Sequence, residues 1–154
     1  MAEYLIKSAA DPYSLFNPAK SHPKVIVQAI SARNRSKAEA YAKSHSIPEV
    51  KDTYQEILNN PNINAVFIPL PNSLHFKWAV RAIRAGKHVL LEKPSVSNST
   101  KAKILFNLPE LDQPNGPVLL EAFHSRFYPA WALFNSLVAP AEVKHVESRS
   151  MLPW

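Results

Sequence analysis

Short apolar runs alternate along the chain with longer segments in which apolar residues recur at helical spacing. Four of the runs are rich in β-branched and aliphatic residues and lack the alternation of a half-exposed strand, so each predicts a strand buried on both faces. They span residues 24–30, 64–70, 89–92 and 117–123. Because helical segments separate them, the chain predicts an α/β fold, a parallel sheet with helices on both faces.

Capping signals place two helices between the first two strands. Ser36 and Glu39 have the spacing of a capping box, with Asn34 as a rival cap, for a helix that ends near residue 45. Thr53 and Glu56 form a second capping box, for a short helix that ends near residue 59. Both helices fit the connections that a parallel sheet requires.

The strongest helical pattern follows the second strand. Asn72 or Ser73 is expected to cap a helix that runs to residue 85. Gly86 then occupies the position just past a helix end that favours glycine. The inward positions of this helix are Leu74, Trp78 and Ala82, and its solvent positions are Lys77, Arg81 and Arg84.

The remaining segments give weaker patterns. Residues 1–10 have Leu5, Ile6 and Ala9 at helical spacing and predict a short helix, whereas the proline-punctuated residues 11–23 predict a loop. Further predicted elements are an extended piece at 49–52, helices at 99–108 and 130–138, with Pro129 at the N1 position of the latter, and a fifth strand at 143–150.

Composition limits the class of protein. The chain has 154 residues, of which 46% are hydrophobic and 19% charged, which is typical of a globular domain with a real core. It has no apolar run near the roughly 18 residues that a membrane span needs, and no signal-peptide pattern. Because it also has no cysteine, we expect neither disulfides nor a thiolate metal site, and a cytoplasmic location.

The net charge of +6 favours an anionic partner, either nucleic acid or a phosphate-bearing cofactor. The lysines and arginines are spread along the chain, without a block of five or six and without an arginine-rich arm. This spread is typical of a solvated surface. Nucleic acid and membranes are therefore not predicted as partners.

The carboxyl ends of parallel strands meet at one edge of the sheet, where ligands bind in such folds. Lys93 lies beside Glu92 and Pro94 directly after a buried strand, and a charged pair there indicates that the strand opens onto a cleft, although a solvated turn is an equal alternative. The segments expected at this edge are 31–33, 69–72, 92–94 and 121–126.

Arg33 follows the first strand at the place where an acidic residue would bind the ribose 2′-hydroxyl of NAD. An arginine there suits the 2′-phosphate of NADP instead. On position alone, a solvated charge at the helix entry is an equally good interpretation.

The histidines give no metal site by their spacing. His75, near the start of its helix, is expected to be a surface or capping residue, and His124 follows the fourth strand, where it could face the cleft. Neither has metal-ligand spacing with another histidine or a carboxylate, so no metal is predicted.

Four segments, in order, resemble the glucose–fructose oxidoreductase, inositol dehydrogenase and MocA (Gfo/Idh/MocA) family of nicotinamide-dependent dehydrogenases. They are A-I-S-A-R-N-R-S-K-A-E-A-Y-A, I-P-L-P-N-S-L-H, A-G-K-H-V-L-L-E-K-P and L-L-E-A-F-H-S-R-F-Y-P-A, and the resemblance covers residues 25–130. The last segment is most similar to the branch of trans-dihydrodiol dehydrogenase and NADP-dependent D-xylose dehydrogenases. The resemblance implies a Rossmann-like sheet, NADP or alternatively NAD as cofactor, and hydride transfer between NADP and a sugar or dihydrodiol hydroxyl.

The resemblance also implies roles for single residues. Lys93 would hydrogen-bond the substrate hydroxyl and ease its deprotonation, which makes it the catalytic candidate. Ser31 and Arg33 would bind the adenosine 2′-phosphate, and Glu92 would hold the nicotinamide ribose. The Lys93–Pro94 bond is often cis in relatives. Residues 70, 71, 72 and 75 would line the nicotinamide half of the site. The complete set of cofactor-binding candidates is Ser31, Arg33, Leu70, Pro71, Asn72, His75, Glu92, Lys93 and Arg126.

The chain departs from the family pattern near its amino terminus. The family opens with a strand and a glycine-rich turn that presents backbone N–H groups to the pyrophosphate. The only glycines of the chain are Gly86 and Gly116, both far downstream. We therefore expect the sheet to be incomplete, without its first strand and without the glycine turn.

The resemblance divides the chain into a partial NAD(P)-binding domain at residues 1–123 and the start of a second, α+β domain for substrate binding and dimerisation at 124–154. In relatives, which are often dimers, the catalytic Tyr or His acid/base comes from that later region, so no residue here is assigned the role. The alternative function is a truncated, catalytically inactive remnant that at most binds nucleotide or pairs with a full-length relative.

Overall fold

The structure, a computed structural model, describes residues 2–4, 16–147 and 149. The chain divides into two compact units, Met1–Ala122 and Phe123–Trp154, and each is described by itself. The first unit carries the strands and most of the helices among the described residues. Whether the second unit begins a substrate domain stays a prediction.

Parallel strands form the centre of the first unit. The strands within the described residues are β1 (Ala2–Tyr4), β2 (Val25–Val27), β3 (Ala29–Ser31), β4 (Glu49–Lys51), β5 (Ala65–Ile68), β6 (His88–Leu91) and β7 (Leu119–Glu121). One sheet has the order β2, β1, β5, β6, β7, and β3 pairs with β4 in a second sheet. Every pair is parallel, which confirms the predicted fold class.

The first predicted strand, at residues 24–30, is present but divided at Gln28 into β2 and β3. The N-terminal half pairs with β1, and the C-terminal half pairs with β4. The carbonyl of Gln28 itself accepts a hydrogen bond from the Glu49 N–H, at 3.1 Å, so the backbone continues across the break. With β2 and β3 taken as one position, the strand order is that of dinucleotide-binding folds, 3-2-1-4-5-6.

The expectation of a missing first strand is wrong, because β1 lies in the middle of the sheet. Its register pairs Glu3 with Ile26 on one side, and Tyr4 with Ala65 on the other. The predicted helix at residues 1–10 is also wrong over Ala2–Tyr4, since ladder hydrogen bonds to two neighbours outweigh the local helical spacing. Residues 5–10 lie outside the described part of the chain.

Helices connect the strands. The helices of the described residues are α1 (Phe16–Ser21), α2 (Arg35–His45), α3 (Tyr54–Asn59), α4 (Asn72–Arg84), α5 (Ser99–Phe106) and α6 (Pro129–Leu137), with 3-10 turns at Pro109–Asp112, His124–Phe127 and Pro140–Glu142. Helix α1 replaces part of the loop predicted at 11–23, because Pro18 stands in the first turn, where a helix does not need its N–H. Residues 11–15 are not described.

The two predicted capping boxes have different outcomes. At α3, the Thr53 side chain accepts a hydrogen bond from the Glu56 N–H, and Glu56 accepts one from the Asp52 N–H, so this box is confirmed in outline. At α2 the rival cap is correct, because the Asn34 side chain accepts a hydrogen bond from the Lys37 N–H. Asn34 has the extended backbone that an N-cap needs.

Helix α4 begins at Asn72 after Pro71, without a side-chain cap, so neither Asn72 nor Ser73 caps it as predicted. It ends as predicted, since Gly86 has a φ of +72°. The Gly86 N–H donates to the Ile83 carbonyl and the Lys87 N–H to the Ala82 carbonyl, a closure that the left-handed glycine permits.

The strand predicted at residues 143–150 is wrong where the chain is described, because residues 143–147 and 149 have no regular structure. Alternating polarity favours a strand only where a neighbouring strand pairs with it, and none of the described strands does so here. Residues 148 and 150 are not described.

No helix of the described residues is long and apolar enough to cross a bilayer.

The core lies on both faces of the sheet, as alternating strand residues require. On one face, Val66 and Ile68 of β5 pack in a cluster with Trp78 and Ala79 of α4. On the other face, Phe67 packs in a cluster with Ile30, Ala42 and Ile47. Helices therefore hold β3, β5 and β6 so that their carboxyl ends lie at one edge.

Candidate functional site

Three predicted site segments follow neighbouring parallel strands at this edge. Arg33 lies two residues after β3, Asn72 begins α4 after β5, and Lys93 lies two residues after β6. All three side chains are exposed. The arrangement brings the ends of different strands together, as the sequence predicted for a ligand-binding edge.

A cavity of about 420 Å³ opens beside the ends of β3 and β5. Its walls include Arg33, Asn34 and Lys37 from the entry and first turn of α2, Tyr54 from α3, and Pro71 and Leu74 from the start of α4. This volume lies within the roughly 300–1,000 Å³ that ligand pockets occupy. The cavity is therefore large enough for a nucleoside.

Two cations stand at the cavity without an acidic partner among the described side chains. Arg33 and Lys37 are exposed, and neither forms an ion pair there. In contrast, Arg35 bonds to Asp52 and Glu39, and these carboxylates raise the pKa of Arg35. The positive charge at the cavity is thus available to an anionic ligand.

Tyr54 gives the cavity an aromatic wall. Its ring meets the Trp78 ring edge-on, with centroids 5.1 Å apart. Burial raises the pKa of Tyr54, and the nearby positive charge of Arg33 lowers that pKa in part. The phenol therefore stays neutral at physiological pH, as a ring that packs against a nucleobase should be.

Ser31, the second residue predicted to bind the adenosine 2′-phosphate, is buried, whereas Arg33 is exposed. Ser31 is the last residue of β3 and only 1% exposed, whereas Arg33 is exposed two residues later. Sequence reasoning missed Lys37 and Tyr54. Lys37 is the third residue of α2, in the first turn of the helix that Arg33 leads into, and this position is the signal that could have indicated it.

The turn after β6 carries Glu92, Lys93 and Pro94. The Lys93–Pro94 peptide is cis, as the resemblance implied. The Lys93 N–H donates to Glu92 Oε2 at 3.1 Å, while the Lys93 ammonium has no hydrogen bond or ion pair among the described residues. The ammonium of Lys93 is therefore available to a ligand.

Glu121 holds the next residue of this turn. Both the N–H and the hydroxyl of Ser95 donate to Glu121 Oε1, at 2.9 and 2.6 Å. Ser95 is buried and Glu121, the last residue of β7, is half-buried. Sequence reasoning placed residue 121 at the edge but gave it no role.

His75 is not the surface or capping residue that was predicted. It is 1% exposed, with Nε2 2.6 Å from the Leu70 carbonyl oxygen and Nδ1 2.9 Å from the Pro94 carbonyl oxygen. Its position three residues before Trp78 and four before Ala79 puts it on the inward face of α4. That spacing was the signal that could have identified it.

Leu70 is buried and Pro71 is exposed, and together they lead from β5 into α4. Arg126 and His124 are exposed in the second unit, in the 3-10 turn His124–Phe127. The structure thus groups the first-unit candidates at one edge of the sheet.

The residues present fit the adenosine half of a dinucleotide. The cavity combines an aromatic wall with two unpaired cations, which suits a nucleoside that carries a phosphate. The pyrophosphate half is different, since residues 5–15, between β1 and α1, contain no glycine and are not described. In the described residues, no group of three or more His, Cys, Asp or Glu side chains could hold a metal ion.

Comparisons with known proteins agree with this geometry. The family model of the Gfo/Idh/MocA oxidoreductases, described as an oxidoreductase family with an NAD-binding Rossmann fold, matches residues 12–112. A D-xylose 1-dehydrogenase (NADP(+)) from Haloferax volcanii is 37% identical over 111 residues, 72% of this chain and 33% of that protein. A trans-1,2-dihydrobenzene-1,2-diol dehydrogenase from Xenopus laevis is 29% identical over 130 residues, 84% of this chain and 38% of that protein.

Solved structures give the same result. The crystal structure of KijD10, a 3-ketoreductase from Actinomadura kijaniata in complex with TDP-benzene and NADP, superposes with a TM-score of 0.75 at 28% identity. The match covers 88% of this chain and 42% of KijD10. The chain therefore spans between a third and a half of the length of these relatives. The resemblance stated from the four sequence segments is confirmed, both in the family and in the branch it named.

Proposed function

The chain belongs to the Gfo/Idh/MocA oxidoreductase family, and from that premise we propose that it binds NADP in the service of hydride transfer to or from a sugar or diol hydroxyl. The observation that carries the proposal is the cavity in which the unpaired cations Arg33 and Lys37 stand beside Tyr54. The 2′-phosphate of NADP is the ligand group that such a pair of cations would favour.

In this proposal the adenosine half occupies the cavity, and the nicotinamide half extends along the edge toward the ends of β5 and β6. Asn72 and Glu92 would contact the ribose and nicotinamide there. Arg126 remains a proposed contact from the second unit. Bound NADP⁺ would be the two-electron acceptor when a CH–OH group is oxidised to C=O, a reaction in which one hydride leaves the carbon and the hydroxyl proton is released.

Lys93 would act on the substrate rather than on the nucleotide. Its ammonium is exposed and unpaired among the described residues, so it could donate a hydrogen bond to the reacting oxygen. A cation at that place stabilises the negative charge that develops on the oxygen as the proton leaves. The names of the relatives support D-xylose or a dihydrodiol as the substrate class.

Titration of the chain with NADPH, followed by the fluorescence of the cofactor, tests nucleotide binding. We expect saturable binding that is tighter for NADPH than for NADH. Absence of binding at millimolar cofactor would overturn the proposal. If the chain binds the cofactor, it is then assayed for reduction of NADP⁺ to NADPH with D-xylose and with a dihydrodiol as substrates.

The role of Lys93 is tested by Lys93→Ala, with Lys103→Ala as the control. Lys103 is an exposed lysine of α5, whose side chain has no partner among the described residues. We expect Lys93→Ala to reduce turnover about a hundredfold or more, the effect typical of a proton-transfer group, and to change NADPH affinity far less. Unchanged turnover in Lys93→Ala would refute the role.

A second function, nucleotide binding without turnover, is favoured by one observation. The connection between β1 and α1 contains no glycine, although the fold normally presents backbone N–H groups to the pyrophosphate from a glycine turn there. This function predicts measurable NADPH binding with no oxidation of either substrate. If the chain instead pairs with a full-length relative, addition of that relative should give a mixed oligomer detectable by size-exclusion chromatography.

A further inference from the structure

A side chain, and not a neighbouring strand, fixes the exit of the turn after β6. At the entry of the turn, the Glu92 N–H donates to the Ile68 carbonyl at the end of β5, at 3.2 Å. At the exit, both the N–H and the hydroxyl of Ser95 donate to Glu121 Oε1, at 2.9 and 2.6 Å. The turn that carries Lys93 therefore depends on a backbone bond at its entry and on one carboxylate oxygen at its exit.

The register of β6 and β7 brings Glu121 to this turn. Leu91, the last residue of β6, lies opposite Glu121, the last residue of β7. The Ala122 N–H then donates to the Leu91 carbonyl at 2.8 Å, so the ladder fixes the backbone on both sides of Glu121. The carboxylate consequently lies beside the point at which the chain leaves β6.

Burial makes the two bonds from Ser95 costly to lose. Ser95 is only 5% exposed, and Glu121 is half-buried. The hydroxyl bond of 2.6 Å lies within the range of about 2.5–2.7 Å that is typical of a hydroxyl donating to a carboxylate. Removal of the carboxylate would leave two buried donors without an acceptor, which costs more free energy than the bonds contribute. We therefore expect the turn to change when Glu121 is replaced.

A short covalent path joins Ser95 to Lys93. Only Pro94 separates the two residues, and its ring holds its own φ near about −65°. The Lys93 ammonium has no hydrogen bond or ion pair among the described residues, so no contact of that kind replaces the constraint. The bonds of Ser95 to Glu121 therefore restrict the position of the Lys93 backbone.

We propose that Glu121 is a positioning residue, which acts through Ser95 and sets the place of Lys93 relative to the nicotinamide half of the site. Its effect on catalysis rests on the proposed function, whereas the contact with Ser95 does not. The role uses one carboxylate oxygen as an acceptor and involves no transfer of a proton.

The first test measures hydrogen exchange of the Ser95 amide by NMR of the full chain labelled with ¹⁵N. We expect Glu121→Ala to accelerate this exchange about tenfold or more, since a hydrogen bond to a charged group changes an opening equilibrium by at least that factor. Glu121→Gln should lie closer to the wild type, because its amide oxygen also accepts. Unchanged exchange in Glu121→Ala, or equal exchange in the Gln and Ala variants, would overturn the proposal.

Glu49→Ala is the matched control for this experiment. Glu49 is also a half-buried strand glutamate, and its Oε1 accepts a hydrogen bond from Gln28 Nε2 at 2.7 Å. It lies in the other sheet, on β4. Its replacement should leave Ser95 exchange unchanged, and acceleration equal to that in Glu121→Ala would show a general loss of stability instead of a local contact.

Ser95→Ala provides a milder variant that retains Glu121. It removes the hydroxyl donor and keeps the N–H of residue 95, whose exchange can still be followed. We expect a smaller acceleration than in Glu121→Ala, and no further acceleration when both substitutions are combined. Additive effects of the two substitutions would contradict a shared contact. The Ser95→Ala variant also gives the comparison with Glu49→Ala if Glu121→Ala does not fold.

The positioning role needs a readout at Lys93 itself. In the full chain labelled with ¹³C-lysine, Lys93→Ala identifies the signal of this side chain. We expect NADPH to shift the signal in the wild type and in Glu49→Ala, and to shift it less in Glu121→Ala or Ser95→Ala. NADPH affinity should stay close to that of the wild type, because Arg33 and Lys37 are unaltered. In a chain that turns over substrate, kcat should fall with little change in the KM for NADP⁺.

The two proposals fail in different ways. If the wild type does not bind NADPH, the proposed function fails, and Ser95 exchange still decides the contact with Glu121. If Ser95 exchange accelerates in Glu121→Ala while the response of Lys93 to NADPH equals that of the wild type, the contact is purely structural and the positioning role is refuted.

Discussion

Arg33 is the side chain whose replacement reports most directly on the choice between NADP and NAD. It lines the cavity and has no acidic partner among the described residues. Arg33→Ala should weaken NADPH binding about tenfold or more, because a hydrogen bond to a charged group contributes roughly 1.5–3 kcal/mol, and should leave NADH binding nearly unchanged. Fluorescence titration with each cofactor measures the ratio.

Arg35→Ala is the matched control for this experiment. Arg35 is an arginine two positions further along, but its guanidinium is bonded to Glu39 and Asp52 and does not line the cavity. We expect it to keep the NADPH preference of the wild type. An unaltered cofactor ratio in Arg33→Ala would defeat the assignment of the 2′-phosphate to this side chain.

Tyr54 offers a readout of the same charge without any nucleotide. Burial raises the pKa of Tyr54 and Arg33 lowers it in part, so Arg33→Ala should raise that pKa further. In the unfolded chain this tyrosine has its ordinary pKa, which is lower than its pKa in the fold. The free energy of unfolding should therefore decrease as the pH rises above the ordinary tyrosine pKa. NMR of ¹³C-tyrosine follows the phenol, and Tyr54→Phe identifies its signal; a pKa unaffected by Arg33→Ala would contradict the contact.

Single residues show where sequence reasoning was sufficient. Gly86 could be placed from sequence because a left-handed backbone past a helix end favours glycine, although Ser46 adopts the same conformation after α2. His75 could not be assigned its partners, because the Leu70 and Pro94 carbonyls reach it only after two strands are aligned. A residue whose role depends on the ends of other strands is not determined by its local pattern.

At the scale of elements, the two capping boxes provide a paired prediction. Thr53→Ala should lower the free energy of unfolding by about 1 kcal/mol, since it removes the acceptor for the Glu56 N–H at the start of α3. Ser36→Ala, at the capping box that the structure does not use, should have almost no effect because Asn34 caps α2. Urea denaturation of both variants measures the difference, and equal losses would contradict the assignment of the caps.

The elements that the sequence predicted well are those whose environment is repeated along their whole length. Strand β5 is buried on both faces, so every residue of its run carries the signal, and in β6 the buried Val89 and Leu91 carry it. The first predicted strand is divided at Gln28 because its two halves pair with different strands, the first half with β1 and the second half with β4. That choice of neighbour is a property of the sheet and not of the run.

At the scale of the whole molecule, β1 completes the sheet. Glu3→Pro should prevent cooperative folding of the first unit, because proline removes a ladder hydrogen bond from a strand that has a neighbour on each side. Glu3→Val is the control, since it makes the same position β-branched and keeps the N–H. Circular dichroism on heating compares the two, and equal melting of Glu3→Pro and the wild type would show that β1 is dispensable.

The central place of β1 also has a consequence for synthesis on the ribosome. The strand is made before both of its neighbours, and its second partner, Ala65 of β5, emerges only after α1, α2 and α3. Contacts so distant in sequence form late and slow the folding of a chain. One edge of β1 therefore lacks its partner strand until β5 leaves the exit tunnel, which exposes unpaired backbone N–H and C=O groups during that interval.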